Sequence, residues 1–148
     1  MKKNVLLLLM ILLAFTACEG PQGPPGEPGI LGLKIIDISI DAEDWVISKD
    51  NQGLNAYYMC EVNVPELSRT VYQDGLVHAY LVQNPGTSYE VETSLNCSFP
   101  NENQYGDLWT EYYSWDYMPG SVAFYVKYSD FNLVPGPGDK LFKLVLLW

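Results

Sequence analysis

The sequence predicts an all-β fold for residues 33–148, an antiparallel β-sandwich of about seven or eight strands. Turn residues recur every eight to fifteen positions, among them Asn84-Pro85-Gly86, Met118-Pro119-Gly120 and Pro135-Gly136-Pro137-Gly138. Between them lie short runs rich in Val, Ile, Tyr, Phe and Trp, the residues that suit a pleated, half-buried surface. Several of these runs alternate apolar and polar positions with a period of two.

The expected strands cover residues 33–40, 44–48, 56–64, 76–83, 88–95, 108–117, 121–129 and 140–148. In the seventh, Val122, Phe124, Val126 and Tyr128 share one face and are the expected core, opposite Ala123, Tyr125 and Lys127. In the eighth, Phe142, Leu144, Leu146 and Trp148 share a face, with Lys143 opposite. One helical turn is expected over residues 65–72: Pro65 suits a helix start and Gly75 an end. A length of 148 residues suits one such core with appendages.

The appendages come first. Lys2 and Lys3 precede an apolar run over residues 5–15, and small residues Thr16 and Ala17 precede Cys18. A run of about ten residues is too short for a permanent span of about 20, and it has the layout of a secretory signal peptide over residues 1–17. Residues 18–32 then place glycine at 20, 23, 26, 29 and 32, in the triplets GPQ, GPP, GEP and GIL. Proline fixes φ near the polyproline II value and removes the backbone donor, so this collagen-like tract is expected to be an extended spacer. Four triplets are too few for a stand-alone triple helix, which makes a monomer the expectation over a trimer.

After Cys18 the chain carries six basic against eighteen acidic residues, a formal charge of −12. Such a surface repels nucleic acid, so none is expected as a partner.

Signs of catalysis are few. His78 is the sole histidine, which removes a histidine-rich metal site, and it shares a strand face with Tyr80. The acids Asp41, Glu43, Asp44 and Asp50 match no calcium-loop spacing and suit a solvated turn. The pairs Glu90 with Glu92 and Glu111 with Asp116 could be set in a glycosidase cleft, but paired acids are common in so acidic a chain. No enzymatic activity, cofactor or metal is therefore expected. Cys60 and Cys97 leave two readings open: a disulfide closing a loop of about 36 residues, or two small buried thiols. The run 109–117, WTEYYSWDY, places Trp109, Tyr113, Trp115 and Tyr117 on one strand face, with Tyr112 on the other. Some of these rings are expected at the surface, where they would suit a glycan or a protein ligand.

The segment Ala14-Phe15-Thr16-Ala17-Cys18 resembles a bacterial lipobox, with Phe15 where Leu, Val or Ile is usual. That resemblance implies that Cys18 becomes the lipid-bearing first residue and that the partner at this end is the membrane. With its CEGPQGPPGEPG stub and β-rich remainder, the whole chain resembles small collagen-like lipoproteins of Gram-negative gut commensal bacteria. The resemblance implies an envelope protein of the outer membrane, with Glu19 resembling the acidic residues that follow the cysteine in surface-exported lipoproteins. It brings no catalytic residues. The resulting expectation is a non-enzymatic, membrane-anchored lipoprotein presenting a binding or structural β-sandwich, with a glycan-binding accessory domain as the alternative.

Overall fold

The computed structural model describes residues 32–148; the expected signal peptide over residues 1–17, Cys18 and the Gly-x-y tract before Gly32 lie outside the described residues. Nine strands form two antiparallel sheets, one more strand than the upper expectation. The four-stranded sheet has the order β1 (Leu33–Ile40), β9 (Lys140–Leu147), β4 (Leu76–Gln83), β5 (Val91–Ser94). The five-stranded sheet has the order β2 (Val46–Lys49), β3 (Ala56–Asn63), β8 (Ser121–Tyr128), β7 (Leu108–Met118), β6 (Cys97–Glu102).

Alternation decides what lies between the sheets. Val122, Phe124 and Val126 are fully buried and Tyr128 nearly so, and they meet Phe142, Leu144 and Leu146 from β9. Phe124 and Phe142 stack across the gap with ring centroids 4.1 Å apart and planes 16° from parallel. Removing this much apolar surface from water is the main drive for the two sheets to close on each other. Trp148 departs from the expected core set: it follows the last residue of β9 and stays 41% exposed.

Four local departures from the expected elements have physical causes. A 3₁₀ turn over Ala42–Asp44 delays the second strand to Val46; the Asp44 carboxylate accepts the Asp41 N–H at 3.3 Å, and Asp139 accepts the Ala42 N–H at 2.8 Å. Strand β5 is short because Thr87 and Glu90 accept the N–H groups of Tyr89 and Gly86, which holds that segment in a loop. Strand β6 was not expected, since Pro100 lies inside it; it is an edge strand, where a missing backbone donor is tolerated. The expected helical turn is α1 (Arg69–Asp74), four residues later than its predicted start. The Ser68 hydroxyl caps it by accepting the Val71 N–H at 3.2 Å, and the Gly75 N–H closes on the Val71 carbonyl at 3.0 Å.

The strand directions give the sandwich two distinct ends. At the entry end Leu33, Leu147 and Leu76 lie side by side across three strands, and Gly32 pairs with Trp148 through both backbone groups. Leu67 and Val71 plug this end from below, and the β7–β8 turn is tied to it by the Gly120 N–H donating to the Leu67 carbonyl at 2.8 Å. The connections 50–55, 84–90, 103–107 and 129–139 all gather at the opposite, far end.

Candidate functional site

Strand β7 carries the aromatic run, and its odd positions face the core rather than solvent. Tyr113 is 3% exposed, while Trp109, Trp115 and Tyr117 are partly buried against the hydrophobic cluster. The expected aromatic surface is therefore corrected at Tyr113, which is buried; the four rings share the inner face of β7, and Trp109, Trp115 and Tyr117 keep part of their surface exposed. The structure also divides them. Trp115 and Tyr117 stack on each other with centroids 5.2 Å apart near Tyr72 at the entry end, whereas Trp109 lies toward the far end.

Around Trp109 the inner face opens into a cleft of about 470 Å³. Its floor is Trp109, Glu111 and Tyr128, from adjacent strands of one sheet. One wall is the β6–β7 hairpin loop with Asn103 and Asp107; the other is the segment after β8, with Asp130, Asn132 and Pro135.

Both walls are braced by their own hydrogen bonds. The Asn103 side-chain oxygen accepts the N–H groups of Tyr105 and Asp107 at 2.8 and 3.1 Å, and its amide nitrogen donates to the Asp107 carboxylate at 2.9 Å. Opposite, Asp130 accepts the Asn132 N–H at 3.1 Å and Asn132 accepts the Val134 N–H at 3.2 Å. The Thr110 N–H donates to the Ser129 hydroxyl at 2.8 Å, fastening this wall to β7. Short polar side chains that bond their own backbone hold loops in one conformation without regular structure.

Glu111 is the unexpected member. It occupies an inward position between Trp109 and Tyr113, where the alternation calls for an apolar residue. Its carboxylate accepts the Tyr113 hydroxyl at 2.7 Å. Burial, then this hydrogen bond and the Glu111 charge, push the Tyr113 hydroxyl far above the usual tyrosine range. Burial, then the charge of Glu111, also raises Tyr128. Both phenols stay neutral, and the cleft keeps a negative potential from Glu111, Asp107 and Asp130. Among the described residues, those lining the cleft include no lysine, arginine or histidine.

The other candidates are placed elsewhere. Glu111 and Asp116 lie on opposite faces of β7, and Asp116 accepts the Tyr125 hydroxyl at 2.9 Å. Glu90 braces its own loop and Glu92 pairs with Lys143, so the two do not converge. His78 bonds Ser94 at 2.9 Å and meets Tyr80 edge-on at 4.7 Å. Asp50 accepts the N–H groups of Gln52 and Leu54 and the Asn55 amide within its turn, and these bonds hold its carboxyl below the usual range. Among the described residues no three His, Cys, Asp or Glu side chains are grouped to hold a metal ion.

The disulfide reading of Cys60 and Cys97 is corrected as well, for both thiols are free. They lie on β3 and β6 of the same sheet with β8 and β7 between them. Three strand spacings of about 4.8 Å put them about 14 Å apart, twice the reach of a disulfide. Burial raises both thiols, with the Asp44 charge adding to it at Cys60.

A wider hollow of about 700 Å³ opens along β2 and β3, lined by Ile40, Val46, Met59 and Cys60 among others. No aromatic ring lines it, and it is a gap beside the short strand β2. The cleft at Trp109 is the better-built site, because aromatic floor and fixed polar walls converge there. No protein-family model, curated protein or solved structure matches the chain.

Proposed function

We propose that the chain is a non-enzymatic lipoprotein of the outer membrane, tethered through Cys18, that presents its β-sandwich as a ligand-binding module. The observation that carries the reading is the opposition of the two ends. The chain enters the sandwich at Gly32, beside Trp148, while the Trp109 cleft and the long loops occupy the far end. A tether at one end and a cleft at the other turn the cleft away from the lipid.

The Gly-x-y tract fits this arrangement as a spacer, since a proline-rich chain extends by about 3.1 Å per residue. Among the described residues no helix is long and apolar enough to cross a membrane. Two or three acyl chains on one cysteine supply stable anchoring, where a single chain gives only marginal binding.

Growth of expressing cells with a labelled fatty acid tests the anchor. Label should enter the wild-type protein and fractionate with outer membranes, and Cys18→Ser should abolish both. Label that persists in Cys18→Ser, or a wild-type protein that remains unlabelled and soluble, would overturn the anchor.

A further inference from the structure

We infer that the Trp109 cleft binds a saccharide that carries no negative charge, one sugar ring lying against the Trp109 indole. The inference rests on reading the sandwich as a binding module and adds the chemical class of its ligand.

Three features of the cleft select that class. The first is its size, about 470 Å³, within the range of ~300–1,000 Å³ typical of small-molecule sites. The second is the pairing of one half-buried indole with side chains that mainly accept hydrogen bonds. A sugar offers the matching parts: an apolar C–H face for the ring and a rim of hydroxyl donors for the Glu111, Asp107 and Asp130 carboxylates. A wholly apolar ligand would strip water from those carboxylates without replacing its hydrogen bonds, which is costly. The third is charge. The lining residues hold three carboxylates and no cationic side chain, so uronates, sulfated sugars and phosphates meet repulsion at close range.

The walls are prepared for such a ligand. Asn103 and Asp107 are locked by two hydrogen bonds through the Asn103 side chain and one between their backbones, and Glu111 is held by the Tyr113 hydroxyl. Polar groups fixed before binding lose little freedom on binding, which lets a small, weakly apolar ligand be held. A peptide partner is the less fitting class, because the cleft is walled by loops stitched to themselves and its floor strand β7 is paired with β6 at Trp109 and Glu111 and with β8 at Glu111.

The full chain carrying Cys18→Ser, purified without lipid, is titrated with oligosaccharides while tryptophan fluorescence and binding heat are followed. The panel holds neutral oligomers of glucose, xylose, mannose and galactose, amino-sugar oligomers, polygalacturonate and a sulfated glycan, with a basic peptide alongside. At least one neutral or amino oligosaccharide should bind and the anionic glycans should not. Trp109→Ala should weaken binding about tenfold or more through loss of the stacking ring. Because Trp109 also packs on the core, Glu111→Gln serves as the second variant; it should weaken binding several-fold through loss of a charged acceptor. Trp115→Ala, on the same strand face at the other end, should leave affinity unchanged.

Failure of the folded chain to bind any uncharged or amino sugar would overturn the inference, as would preference for the anionic glycans. Unchanged affinity in both Trp109→Ala and Glu111→Gln would overturn it too. Capture of the basic peptide alone would overturn the saccharide class while leaving the binding-module reading in place, and the fatty-acid experiment decides the anchor separately.

Discussion

The indole of Trp148 lies directly over Gly32: a Cβ on that glycine would stand 2.5 Å from the ring. Gly32 is the fifth glycine of the period-three series that begins at Gly20, and the last residue of the sequence covers it. The collagen-like spacing thus ends on a glycine against which the indole of Trp148 packs.

Two glycines at the entry end should respond differently to a methyl group. At Gly32 the obstacle is the ring of a side chain already 41% exposed, which can swing outward, so Gly32→Ala should cost less than about 1 kcal/mol. At Gly75 a Cβ would meet the backbone carbonyl oxygens of Val71 and Leu147 at 2.6 and 2.7 Å. Neither can move without disturbing α1 or β9, and Gly75→Ala should cost about 2–3 kcal/mol. Urea denaturation of the two variants gives the comparison, and equal losses would contradict it.

The Phe124–Phe142 stack joins the sheets at their centre, with both rings almost wholly buried. Phe124→Ala and Phe142→Ala should each destabilise the domain by about 3–5 kcal/mol. The double variant should lose less than the sum, because each single change already breaks the shared contact. A double-mutant cycle by chemical denaturation measures the coupling; full additivity would show that the rings act independently.

Alkaline pH should unfold the protein. Burial and then the hydrogen bond to Asp116 push Tyr125 up to about 12, and Tyr113 and Tyr128 are raised further, from an ordinary value near 10. In this interval the unfolded chain gives up phenolic protons that the folded chain keeps, so stability falls as pH rises. The contribution is fully present below about pH 10 and is lost progressively as pH climbs through the folded values. Absorbance of phenolate with circular dichroism should show the last tyrosines ionising together with loss of the fold. Their ionisation in a still-folded protein would contradict the burial.

Cys60 and Cys97 should behave as two shielded thiols. Their reaction with a disulfide reagent at neutral pH should be slow in the native protein and rapid in denaturant, since only the thiolate reacts and burial disfavours it. Electrophoretic mobility of the monomer should be the same with and without reductant. A mobility shift that disappears in Cys60→Ser would show a bond between them.

Much of the architecture is legible in the sequence because alternation is a local property. Val122, Phe124, Val126, Phe142, Leu144 and Leu146 announce their face within one strand, and all are buried. Which side of β7 meets the other sheet depends on the sheet opposite, and a run with large rings at Trp109, Tyr112 and Tyr113 looks apolar on both faces. The cysteine separation is hidden for a similar reason: it follows from strand order, with β8 and β7 inserted between β3 and β6. The cleft left one trace, Glu111, a charge on the inward face between Trp109 and Tyr113. Its partners Asp107, Asp130 and Asn132 come from loops that have no periodicity to read.

The pairing of the first strand with the last also governs how the domain carries a mechanical load. A pull on the chain before Gly32, with the far end held, runs along β1 and strains its ladder with β9 from Gly32 to Ile40 as a unit. Those hydrogen bonds lie side by side across the force and must slip together, rather than opening one after another. Force drawn through the residues before Gly32 therefore meets the β1–β9 ladder in shear.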